Sequence, residues 1–106
     1  MPRTMACRDM TTFVTVDDED YHLLAPRNGS FSFNPRTGAY WWEAGQMVYV
    51  HRVVMGQEHD IEGKHVCFVS RDRSDCRREN LFVFDPAVDG PKKKRQVRKE
   101  RLQTGP

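Results

Sequence analysis

Apolar residues come in short runs separated by turn chemistry, a pattern of small strands rather than of long helices. Thr11–Val16, TTFVTV, sets Phe13 and Val14 among β-branched neighbours and predicts a strand. The acidic string Asp17-Asp18-Glu19-Asp20-Tyr21 suits the exposed N–H groups at the start of a short helix, with His22-Leu23-Leu24 as its apolar side. Pro26-Arg27-Asn28-Gly29 is a turn. A strand Ser30–Asn34 follows, with Phe31 and Phe33 on one face; then come a Pro35–Gly38 turn, a strand Ala39–Trp42, a turn Glu43–Gln46 and a strand Met47–Val50. Links this short make neighbouring strands antiparallel, so the three predict a meander. Residues 1–10 carry mixed charge and no period, and are expected to be loosely attached.

The second half is organised around Gly63–Phe84, GKHVCFVSRDRSDCRRENLFVF. It reads as an apolar run His65–Val69, a charged turn Ser70–Asp75, a short helix and a second apolar run Phe82–Phe84. Gln57–Gly63 before it is a polar connection, and Asp85-Pro86 and Asp89-Gly90-Pro91 close the folded part.

Charge divides the chain. Residues 1–90 hold 10 Lys and Arg against 14 Asp and Glu, whereas residues 91–106 hold 7 against 1. An acidic body with a basic tail points to a polyanionic partner reached partly through the tail, which has little to bury and is expected to be disordered alone. At 106 residues the chain fits one domain, residues 1–90, followed by the tail. No apolar run approaches the roughly 18–20 residues of a membrane span, and the start lacks a signal-peptide apolar region, so an intracellular setting and no membrane partner are expected. Cys7, Cys67 and Cys76 are an odd set without CxxC spacing, which argues against a disulfide framework.

Asp75-Cys76-Arg77-Arg78-Glu79-Asn80-Leu81 resembles the DNRRENL segment of HNH endonucleases of the phage and intron-homing type, several of which carry AP2-like DNA-binding parts. TVDDEDYHLL resembles the DDEDYELL opening of the same proteins, and His51-Arg52-Val53-Val54-Met55-Gly56 resembles their MHRLIMG, a short helix packed beneath the sheet. The resemblance spans residues 12–84. It implies an α+β fold: a small antiparallel three-stranded sheet with short helices over residues 11–56, then a ββα-metal finger over residues 57–85. It also implies a divalent ion held partly by an Asn, with a His as general base. The missing CxxC pairs argue against the zinc-stapled subtype.

Counting back from Asn80, the resemblance puts a metal-ligand position on Cys67 and the catalytic-base position on Phe68, where a phenyl ring cannot accept a proton. A Cys67 thiolate suits soft metals rather than Mg²⁺, and its ordinary reading is a buried, inert thiol. His65 keeps an enzyme hypothesis open, but alternation turns it to the opposite strand face from Phe68, and its ordinary reading is a half-exposed strand histidine. His59-Asp60 lies ahead of the finger in the polar connection. Asn80 has a metal-free role in tying helix to loop, Asp75 is placed to cap that helix, and His51-Arg52 is architectural by the resemblance.

Arg71, Arg73, Arg77 and Arg78 stand among Asp72, Asp75 and Glu79. They are either a salt-bridged surface or a phosphate-facing one. In the tail, Lys92, Lys93, Lys94, Arg95, Arg98, Lys99 and Arg101 provide sequence-independent affinity for nucleic acid. Tyr40, Trp41 and Trp42 alternate, with Trp41 on one sheet face and Tyr40 and Trp42 on the other; with little charge nearby, that face suits protein contact or base stacking.

The first reading is therefore a nuclease-dead HNH-like protein that binds nucleic acid, DNA ahead of RNA, as a regulator or accessory factor without a cofactor, in a bacterial or phage-infected cell. The alternatives are a scaffold reused for protein contact, as an inhibitor or a component of a particle or ribonucleoprotein, and a working endonuclease with relocated ligands, His65 and Asn80, using Mg²⁺ or Mn²⁺.

Overall fold

The chain begins with a strand, β1 (Pro2–Ala6), paired antiparallel to β2 (Phe13–Asp17) with Met5 opposite Val14. A computed structural model describes residues 2–89. The expectation of a loose start is corrected: Met5 and Cys7 are buried beside Val14 and Val16. Met5 and Cys7 alternate inward, and the Asp9 carboxylate closes the hairpin by accepting from the Thr11 and Thr12 amides at 2.9 and 2.8 Å.

Helix α1 (Asp18–Leu24) carries Asp18, Glu19 and Asp20 in its first turn, as expected. Its buried side differs from the expected one. Asp20 and Leu24 face inward with Tyr21 packed beside them, while Leu23 and His22 are exposed, because 3.6-residue periodicity stacks Leu24 over Asp20 and turns Leu23 away. A 3₁₀ turn, Ala25–Arg27, leads into the meander β3 (Ser32–Asn34), β4 (Gly38–Glu43) and β5 (Gln46–Tyr49), antiparallel and in sequence order. Ala44 and Gly45, both at positive φ (52° and 78°), form the two-residue turn between β4 and β5 that matches strand twist. Phe31, fully buried, lies just before β3, and its carbonyl accepts from the Arg8 amide at 2.8 Å, joining the first hairpin to the meander.

The third strand ends one residue earlier than predicted because Val50 opens α2 (Val50–Gly56), which buries Val50, His51, Val54 and Met55 on one face. This helix packs against β4 and β5 on one side and β6 (His65–Phe68) and β7 (Leu81–Phe84) on the other. The connection between α2 and β6 is held by the Arg52 guanidinium, which donates to the carbonyls of Lys64 at 2.9 Å and Ile61 at 3.1 Å. β6 and β7 pair antiparallel, Phe68 opposite Leu81, and a single 3₁₀ turn, Arg78–Asn80, stands where the short helix was expected. A short helix α3 (Pro86–Asp89) follows. Strand, polar loop, helical turn and strand thus come in the predicted order.

The molecule is a small α+β protein with antiparallel sheets and short helices. Its core runs from Met5, Val14 and Val16 through Phe31, Trp41 and Val54 to Phe68 and Leu81. Among the described residues no helix is long and apolar enough to cross a membrane. The tail residues Lys92, Lys93, Lys94, Arg95, Arg98, Lys99 and Arg101 lie outside the described residues.

Candidate functional site

Phe68 ends β6 with its side chain buried against the start of β4. Only a glycine fits there comfortably. Gly38 has φ +108°, and a Cβ on it would stand 3.3 Å from the Phe68 ring and 3.4 Å from His51 Nδ1. The His51 ring centroid lies 4.8 Å from that of Phe68 and 5.3 Å from that of Tyr49, and the Arg73 guanidinium lies 5.1 Å over the Phe68 ring.

Phe68, His51, Tyr49 and Arg73 wall a cleft of about 410 Å³ between the meander and the β6–β7 hairpin. Among the described residues its cationic side chains are Arg36, Arg52 and Arg73, its imidazoles are His51 and His65, and no carboxylate lines it. On a body richer in acid than in base, this is a local reversal of sign. Burial first, then the charges of Arg52 and Arg73, lowers the His51 imidazole to about 4, so the ring is neutral at neutral pH and its buried Nδ1 has no hydrogen-bond partner.

His65 is exposed on the strand face opposite Phe68, as alternation predicts, with its ring 6.1 Å from Phe84 at the cleft rim. It does not meet Asn80. His65 pairs with Phe84, whereas Asn80 adjoins Leu81 at the other end of the hairpin, three residues or roughly 10 Å along a strand. The Asn80 amide is occupied on both sides: Oδ1 accepts from the Ser70 amide at 3.0 Å, and Nδ2 donates to the Asp75 carbonyl at 2.9 Å. The proposed pair of relocated ligands is thus not brought together, and Asn80 acts as a loop tie. Cys67 is half-buried rather than buried. Among the described residues no three His, Cys, Asp or Glu side chains are grouped so as to hold a metal ion.

The four arginines of the loop separate into two kinds. Arg77 forms a two-point pair with Asp75, Nε to Oδ1 at 2.8 Å and Nη2 to Oδ2 at 2.7 Å, and also reaches Glu79. The Arg77 hydrogen bond holds the Asp75 carboxyl below its usual range. Asp75 is therefore this arginine's partner and not a helix cap; Arg77 itself stands at the cap position. Arg78 forks onto buried Asp20 at 3.0 and 2.8 Å and also meets Glu19 and Glu58. Its backbone N–H donates to Asp17 at 2.8 Å, and the Asp17 side chain makes no capping bond to α1. Both guanidiniums are engaged by carboxylates, the salt-bridged one of the two arrangements that the sequence left open. Arg71 is exposed and Arg73 is in the cleft.

The aromatic triplet is split. Trp41 is a core residue, with the Arg27 guanidinium 5.1 Å over its ring, and so is removed from any partner surface. Trp42 is 62% exposed, opposite Met47, and Tyr40 sits on the same face, half-buried, 5.8 Å from Tyr49. Sequence reasoning passed over His51, Tyr49, Arg36 and Gly38 as site residues. The available signal was the strand-to-helix junction Tyr49-Val50-His51-Arg52, where the change of period sends neighbouring side chains to one place.

No family model matches the chain, and neither does any curated protein or solved structure.

Proposed function

We propose that this chain is a catalytically silent HNH-like protein that binds nucleic acid, with the cleft beside Phe68 as its phosphate-receiving site. The observation that carries the reading is the make-up of that cleft among the described residues: three arginines and two imidazoles, no carboxylate, and a phenyl ring at the position where the family resemblance expects a general base. Guanidinium groups suit phosphate oxygens, and the absence of acid leaves their field uncancelled. Magnesium is usually held by one or more carboxylates, and among the described residues none lines this cleft. The basic tail adds sequence-independent attraction, and the reading places the protein inside a cell as a regulator or accessory factor.

Salt-titrated binding to duplex DNA, single strands and structured RNA tests it. Binding at low salt is expected, with a log–log slope that falls by about 0.7–0.9 on Arg73→Ala if Arg73 meets one phosphate. Plasmid incubated with Mg²⁺ or Mn²⁺ should stay intact. Absence of binding to all three nucleic acids at low salt removes the reading, and nicking by the wild-type chain removes its catalytic silence. A second reading, a scaffold for protein contact, draws on one observation, the 62% exposure of Trp42 beside Met47.

A further inference from the structure

We infer that the outward face of the β3–β5 meander is a stacking platform for the unpaired bases of a single-stranded nucleic acid, whose backbone continues into the arginine-lined cleft. The inference rests on the nucleic-acid reading above and names the form of nucleic acid that the site takes.

Strand register supplies the platform. Tyr40 is opposite Tyr49, and Trp42 is opposite Met47, so these four side chains share one face. Tyr40 and Trp42 are two residues apart on one strand, about 6.6–6.8 Å, a step that successive unstacked bases of an extended single strand can follow. Trp42 is 62% exposed, so much of its side chain is open to solvent. Tyr49 belongs to both features: it pairs with Tyr40 on the platform and lines the cleft, 5.3 Å from His51.

Charge complementarity selects the occupant. The three strands contain one acid, Glu43, which register places on the other face with Trp41, and which is paired to Arg27. A chain lying on the platform therefore runs from rings to guanidiniums, Arg36 and Arg73, without passing a carboxylate of the cleft lining. A duplex hides the ring faces of its bases, and the strands themselves offer no Lys or Arg for two phosphate chains. Unpaired bases satisfy both constraints, because aromatic stacking serves any base and backbone charge is met at one end.

The test uses the full chain and two fluorescently labelled probes, a twelve-thymidine oligonucleotide and a blunt mixed-sequence duplex of the same length, in anisotropy titrations at several salt concentrations. The single strand is expected to bind more tightly and to quench tryptophan fluorescence. Trp42→Ala should weaken it about 5- to 150-fold with its salt slope unchanged, and Trp42→Phe should keep most of the affinity. Arg36→Ala and Arg73→Ala should each lower the slope by about 0.7. Because Trp42 is largely exposed, its variants are expected to fold, and circular dichroism checks this. If the duplex binds at least as tightly, or Trp42→Ala leaves single-strand affinity unchanged, the inference fails while nucleic-acid binding stands; the second result would assign the face to a protein partner. If neither probe binds at low salt the inference fails, and if a structured RNA does not bind either, the underlying reading fails with it.

Discussion

Removing the Arg78 guanidinium should unfold this protein far more readily than removing that of its neighbour Arg77. Asp20 is 1% exposed, and both its carboxylate oxygens accept from Arg78, whose side chain is itself only 20% exposed. Arg78→Ala strands that carboxylate in the core, and removing one partner of a buried pair costs about 3–5 kcal/mol. The low end, about 3 kcal/mol, applies here because the guanidinium edge reaches solvent toward Glu58 and Glu19. With a urea dependence of roughly 1–3 kcal/mol per molar, the unfolding midpoint should fall by about 1–3 M. Arg77 faces Asp75 and Glu79 near the surface, so Arg77→Ala should leave the midpoint close to wild type. Urea unfolding followed by tryptophan fluorescence measures both, and adding Asp20→Asn to Arg78→Ala should recover part of the loss by neutralising the stranded group. Coincident midpoints for Arg77→Ala and Arg78→Ala would refute the assignment of Arg78 as the clamp between α1 and the β6–β7 hairpin.

Four further outcomes are expected. His51, lowered from 6.5 to about 4, binds its proton more weakly when folded; its contribution of roughly 3 kcal/mol is complete above pH 6.5 and is lost as pH falls toward 4, so thermal melts of His51→Phe should depend less on pH across that window. Gly38→Ala should destabilise by about 1–3 kcal/mol, because the residue has φ +108° and its Cβ would press on the Phe68 ring; a melting temperature equal to wild type would contradict the packing described. Ala44→Asn should raise the melting temperature, gaining up to about 1 kcal/mol by relieving a left-handed alanine in a two-residue hairpin turn. Met5→Ala should cost about 2–5 kcal/mol, measured by urea unfolding, whereas a loosely attached first strand would show no change.

The strands of the meander and of the last hairpin were legible because turn residues bracket each apolar run, Pro35–Gly38 and Glu43–Gln46 above all. β1 was not, because Pro2-Arg3-Thr4-Met5-Ala6 offers a single large apolar residue; its inward alternation shows only once Val14 lies opposite. The resemblance singled out Phe68, but the cleft around it was not legible. Arg36, His51 and Arg73 are far apart in sequence and meet only because α2 bridges the two sheets. The fates of Arg77 and Arg78 were equally hidden. Adjacent residues of one type differ because one reaches across 58 positions to Asp20 and the other two positions back to Asp75.

This division of labour, on the proposed reading, lets an HNH-like framework lose its chemistry and keep its shape. On the proposed reading, the loop that would carry a metal is closed instead by Asn80 amide bonds to Ser70 and Asp75, and by the Thr15 backbone, whose N–H donates to Ser74 at 2.9 Å and whose carbonyl accepts from Cys76 at 2.7 Å. None of these contacts involves Phe68. Placing a phenyl ring there exchanges a group that must be hydrogen-bonded when buried for one that gains by burial, with Gly38 and His51 shaping the pocket that receives it. On that reading the phenyl ring removes proton transfer while adding apolar area to the seam between the two sheets, and Arg36 and Arg73 line the cleft for a polyanion.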